Sequence, residues 1–133
     1  MRAAAATAGM LSAAVLLAPG CGQTERKASS NDEPVRRAAF RSMIARDFLA
    51  SCPGAGARPE TARQAQRHAE LKQLGARKGA GHALWLGEND HGGLARHDDR
   101  RPCAAGEAAY RGALGGYGAT LDALAGRIAE YRQ

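Results

Sequence analysis

The chain has 133 residues, with 19 Lys+Arg against 13 Asp+Glu for a formal charge of +6, and only 5% of its residues are aromatic. That length suits one modest domain with a single core. A basic balance favours anionic neighbours, but the shortage of rings removes the stacking platforms that hold single-stranded nucleic acid, so nucleic acid is not an expected partner.

The first segment starts with Arg2, continues as the small, apolar run Ala3 to Ala18 carrying Leu11, Val15, Leu16 and Leu17, and closes with Pro19-Gly20-Cys21. A basic start, a short apolar core and small residues at its end have the anatomy of an exported signal peptide. The apolar core falls short of the roughly 20 residues that span a bilayer as a helix, and no later segment is more apolar. Leu16-Leu17-Ala18-Pro19-Gly20-Cys21 resembles the lipobox of bacterial lipoproteins, in which small residues precede a cysteine that takes a diacylglycerol and becomes the new N-terminus. The resemblance covers residues 1–21. It implies a signal peptide at 1–20, lipidation of Cys21 and attachment to the cell envelope at the periplasmic face. Gly22 stands where some lipoproteins carry an Asp resembling an inner-membrane retention signal, so the outer membrane is favoured over the inner. Ala18 and Gly20 also suit ordinary signal peptidase, which would release a secreted chain.

Loss of the leader removes only Arg2 among the basic residues, so the positive balance persists in the mature chain. Its expected neighbours are the membrane, reached through the lipid, and anionic envelope components such as phospholipid headgroups, lipopolysaccharide or cell-wall polymers. Residues 21–33 are polar with no apolar period and read as a tether, able as a flexible coil to hold a domain on the order of 20 Å from the bilayer.

The domain is expected at 34–133. Its first helix begins near Asn31 to Glu33, with Pro34 close to the start, and stops before Cys52-Pro53-Gly54. Phe40, Met43, Ile44 and Phe48 share one face, with Val35 and Leu49 at its margins. Pro59 and Glu60 open a second helix carrying Ala62, Ala65, Ala69, Leu71 and Leu74, which ends by Gly79. Residues 80–101 read as a short helix interrupted by loop, in which Trp85 and its apolar neighbours belong to the core or its margin. The strongest periodicity is Tyr110, Leu114, Tyr117, Leu121, Leu124, Ile128 and Tyr131, a heptad seam on a helix running from just after Cys103 to about Arg132. Beside it, Gly112, Gly116, Ala119 and Ala123 offer a line on which another helix could approach closely. The fold class is therefore all-α, a small bundle of three or four helices.

Three cysteines are present. If lipid consumes Cys21, Cys52 and Cys103 remain as an even pair, expected to close in an oxidising compartment. In an up-down-up-down bundle the end of the first helix and the start of the last lie together, where those two residues fall.

The candidate ligand set is the polar stretch 82–99, whose His82, Asp90, His91 and His97 are of the types that bind zinc or copper. No H-E-x-x-H or C-x-x-C spacing supports it, and a solvated loop is the competing reading. No G-x-S-x-G, phosphate-cradling loop or paired-carboxylate pattern is present, so no enzyme is expected and no cofactor beyond the lipid. The function expected is that of a small lipid-anchored envelope protein with a structural, interaction or binding role. The alternative is a periplasmic metal- or small-ligand-binding module built on residues 82–99.

Overall fold

The computed structural model describes residues 32–90 and 101–132. Among them are four α-helices, α1 (32–50), α2 (Pro59–Arg77), α3 (Gly81–Glu88) and α4 (Glu107–Glu130), with a 3-10 turn at Ala55–Ala57 leading into α2. No strand occurs among the described residues, and the fold is an all-α four-helix bundle closed by a disulfide between Cys52 and Cys103. No described helix is long and apolar enough to cross a membrane.

Local chemistry sets the boundaries. At the end of α1 the Ser51 and Cys52 amides turn back onto the carbonyls of Phe48 and Leu49, and Pro53 forbids a further turn. Pro59 is the first residue of α2, where its missing N–H costs nothing. That helix ends in a Schellman motif: the Ala80 amide donates to the Gly75 carbonyl at 2.8 Å and the Gly79 amide to the Ala76 carbonyl at 3.0 Å. The motif needs a left-handed residue, and Gly79 supplies it at φ 93°. The C-terminus of α4 is capped by a distant cation, because the Lys78 ammonium donates to the Ile128 and Ala129 carbonyls at 2.9 and 3.0 Å.

Paired contacts fix the topology. The Tyr131 hydroxyl donates to Asp32 at 2.9 Å, the Ser42 hydroxyl lies 3.4 Å from the Thr120 carbonyl, and Cys52 bonds Cys103, so α1 and α4 are antiparallel along their full length. Thr61 meets Tyr110, His68 meets Tyr117 and Lys78 meets Ile128, so α2 and α4 run parallel. The eight-residue α3 runs back beside α2, with Leu84 over Gly75 and Glu88 paired to Lys72. The bundle is up-down-up-down with a truncated third helix of about 12 Å.

The core belongs mainly to α4. Tyr110, Tyr117, Leu121, Leu124 and Ile128 of the heptad seam are buried, and Leu114 and Tyr131 pack partly buried against the cluster. The helix itself is shorter than its period suggests, starting at Glu107 and ending at Glu130.

Other expectations are corrected. On α1 the inward line is Val35, Ala38, Ala39, Ser42 and Leu49, while Phe40, Met43, Ile44 and Phe48 are only half-buried. Tyrosines and leucines from α4 already fill the space between the helices, so α1 presents small residues there and its bulky ones are displaced to the flanks. On α2 the inward line is Thr61, Gln64, His68, Leu71 and Gly75, whereas Ala62, Ala65, Ala69 and Leu74 are exposed. The small-residue stripe of α4 faces outward: Ala119 and Ala123 are exposed, and a Cβ added at Gly112 or Gly116 meets no described atom within 4 Å. Trp85 is 59% exposed because α3 turns Ala83, Leu84 and Gly87 inward instead. Asp32 and Glu33, which composition places in the tether, are already helical.

Candidate functional site

Two heptad steps define the α2–α4 interface. Tyr110 and Tyr117 are seven residues apart on α4, as Thr61 and His68 are on α2, and the parallel arrangement sets each hydroxyl opposite its partner. Thr61 Oγ1 and Tyr110 Oη lie 2.9 Å apart, and His68 Nδ1 and Tyr117 Oη 2.6 Å apart. The polar residues on the inner face of α2 are there because buried phenols need partners.

The second of these pairs forms the floor of a groove between α1 and α2. The space measures about 210 Å³, with Met43, Ala65 and Ala69 as its apolar wall and Arg46 and Lys72 at its edges. His68 is 5% exposed and meets Tyr117 edge-on, the rings 5.6 Å apart and inclined at 71°. Burial lowers the His68 pKa, reinforced by the Lys72 and Arg46 charges and opposed by Glu88. Burial pushes the Tyr117 phenol up to about 12. Both groups are therefore neutral at pH 7.

Two arrangements make this hydrogen bond, and each leaves one donor over. If Nδ1 carried the proton, the Tyr117 O–H would be left as a buried donor with no acceptor. With the phenol donating to Nδ1, the ring proton sits on Nε2, and only that N–H is left over. His68 Nε2 is buried and has no partner among the described residues, and the same holds for Glu88 Oε2. The other Glu88 oxygen pairs with the Lys72 ammonium at 3.1 Å, and Arg46 pairs with Asp47 at 2.9 Å. The groove is thus lined by a buried neutral His68–Tyr117 pair and by two cations that are already ion-paired.

The ligand set expected from the sequence is dispersed among the described residues. His82 lies at the start of α3 and stacks on Trp85, the rings 6.3 Å apart and 8° from parallel. Asp90 lies beyond the other end of α3 and pairs with Arg36 at 3.2 Å, whose guanidinium also holds Glu33. His91 and His97 lie outside the described residues, as does Cys21. No three His, Cys, Asp or Glu side chains are grouped to hold a metal ion among the described residues.

Cys52 and Cys103 meet as expected, with their Cα atoms 4.6 Å apart, and the Cys103 amide donates to the Ser51 hydroxyl beside them. At the same end, Arg58 bridges α2 to Glu107 of α4 with two hydrogen bonds of 2.9 and 3.1 Å, and Arg111 returns from α4 to Glu60 at 3.1 Å. The two guanidiniums hold the Glu107 carboxyl down at about 2. This network joins two helix N-termini on the surface, with the Arg58 guanidinium 4.1 Å above the Tyr110 ring.

The groove escapes a reading of the sequence because its central residue is a lone histidine in an Arg- and Ala-rich helix. The shared seven-residue spacing of Thr61 and His68 with Tyr110 and Tyr117 is the signal that could have found it. Comparison with protein families, with curated proteins and with solved structures returns no match for this chain.

Proposed function

We propose that the chain is a lipid-anchored protein of the bacterial cell envelope, in which Cys21 takes the lipid and residues 22–31 carry the bundle at the periplasmic face. The pairing of the cysteines supports this reading most strongly. The Cys52–Cys103 disulfide is of the kind that persists in an oxidising compartment, and it leaves Cys21 as the remaining cysteine of three. Gly22 favours the outer membrane over the inner. The basic balance suits a neighbourhood of anionic headgroups and cell-wall polymers. The role is structural, or one of interaction and binding.

Metabolic labelling with a fatty-acid analogue tests the anchor. Label is expected on the wild-type chain and not on Cys21→Ser. An unlabelled wild type, or equal label on both, removes the anchor from the proposal.

A further inference from the structure

We propose, building on the Cys21 anchor, that the end of the bundle at which α1 begins rests on a bilayer of anionic phospholipid. Trp85 and Leu74 lie among its headgroups, with Arg77 and Arg132 over the phosphates. Topology decides what stands at that end. Asp32 opens α1, and its bond to Tyr131 sets it beside the C-terminus of α4. Lys78 brings the end of α2 to the same place, and the start of α3 follows directly. Ten residues separate Cys21 from Asp32, a reach of at most roughly 36 Å. The bundle is about as long, roughly 36 Å, since α4 has 24 residues. An anchor at Cys21 therefore holds this end near the bilayer at a higher effective concentration than the other.

The surface chemistry of this end suits that neighbour. Among the described residues the large apolar side chains left exposed are Leu74 and Trp85. Leu74 lies in the last turn of α2, and Trp85 is midway along α3. The indole reaches back toward the start of α3, where it stacks on His82. An apolar ring with a polar N–H is the kind of side chain that settles at headgroup level. Arg77 and Arg132 are exposed and join no ion pair among the described residues. The nearby acids are already engaged: Glu33 by Arg36 and Arg37, Glu130 by Arg127, and the buried Asp32 by Tyr131. At the opposite end Arg58 and Arg111 are committed to Glu60 and Glu107. Exposed apolar surface and unspent positive charge thus coincide at the end nearest the anchor, as attraction to an anionic bilayer requires.

Trp85 is the single tryptophan of the chain, so its fluorescence reports on this face alone. The full chain, disulfide intact, is coupled through the Cys21 thiol to a maleimide-bearing lipid in vesicles, and the fraction that floats with them is read. Docking is then tested whether or not the cell attaches a lipid to Cys21, which the fatty-acid label decides separately. On vesicles of phosphatidylglycerol and phosphatidylcholine in equal parts, Trp85 emission should shift to the blue and its quenching by acrylamide should fall about twofold. On phosphatidylcholine alone both changes should be lost. Arg77→Gln and Arg132→Gln should each lower the ratio of docked to free chains about fivefold. Arg63→Gln, which removes an exposed cation at the other end of α2, should leave that ratio unchanged. Trp85 equally accessible on both kinds of vesicle, or an equal loss from Arg63→Gln, would overturn the proposal. So would protection that rises with the density of chains, which would assign the face to a second copy, or protection confined to native envelopes, which would assign it to another protein.

Discussion

Because burial lowers the pKa of His68, the folded chain resists a proton that the unfolded chain accepts at about pH 6.5. Below that value the unfolded state binds more protons, so stability falls as pH drops toward the folded pKa, and above it the group contributes no slope. The steepest slope one such site can give is about 1.4 kcal/mol per pH unit. Urea midpoints of the wild type should decline between pH 6.5 and 5, ahead of the window in which carboxylates such as Glu107 and Glu60 begin to protonate. His68→Gln should flatten that decline, and an unchanged profile would show that the ring is not held neutral by the fold. Tyr117 acts at the other extreme. Its phenol is raised to about 12, so the unfolded chain loses its proton first and stability declines from about pH 10 upward.

At the scale of the helix, glycine has two opposite meanings in this chain. Gly87 sits where α3 crosses α1, and a Cβ there would fall on the Arg36 carbonyl oxygen and within 2.8 Å of the Ala39 methyl. Gly87→Ala should cost about 2–3 kcal/mol through forced separation of the two helices. On α4, Gly112, Gly115, Gly116 and Gly126 face open space in helical conformation, so Ala at each should stabilise by about 0.5–1 kcal/mol. Thermal melts of the single variants and of the fourfold variant check the sign, and a loss of stability in the fourfold variant would mean that an unseen partner covers that face. The same contrast explains what the sequence discloses. Helix α4 is legible because it carries the large residues of the core, and a heptad of Tyr, Leu and Ile is a strong periodic signal. Helices α1 and α2 are found but turned the wrong way, since hydropathy rewards Phe40 and Ile44 over Ala39 and Ser42, and Ala65 over His68. Inward positions opposite a large-residue helix are chosen for size and for hydrogen bonding to its tyrosines, and hydropathy registers neither. The groove is lost from a sequence reading for the same reason.

For the whole molecule the decisive feature is how α1 is retained. At its N-terminal end it is tied to α4 by Tyr131 and Asp32. At the other end the links are the Cys52–Cys103 disulfide and the Ser51–Cys103 hydrogen bond next to it. The surface network of Arg58, Glu107, Arg111 and Glu60 cannot take over, because it joins α2 to α4 and does not reach α1. The disulfide closes a loop of 51 residue steps, which in the chain-entropy account contributes about 4 kcal/mol, a large part of the roughly 5–15 kcal/mol that holds a domain together. The double variant Cys52→Ala/Cys103→Ala should therefore lose about 3–4 kcal/mol in urea unfolding with little change in slope. Hydrogen exchange should show where the loss begins: amides in the last turn of α1, beside the buried Leu49, should lose protection before those of α2 and α4, which remain joined through Thr61–Tyr110 and His68–Tyr117. In the oxidised wild type neither thiol should react with an alkylating agent unless reductant is added. If the double variant lost less than about 1 kcal/mol and its α1 amides exchanged no faster than those of α4, packing along the small inner face of α1 would be enough to hold that helix without the covalent tie.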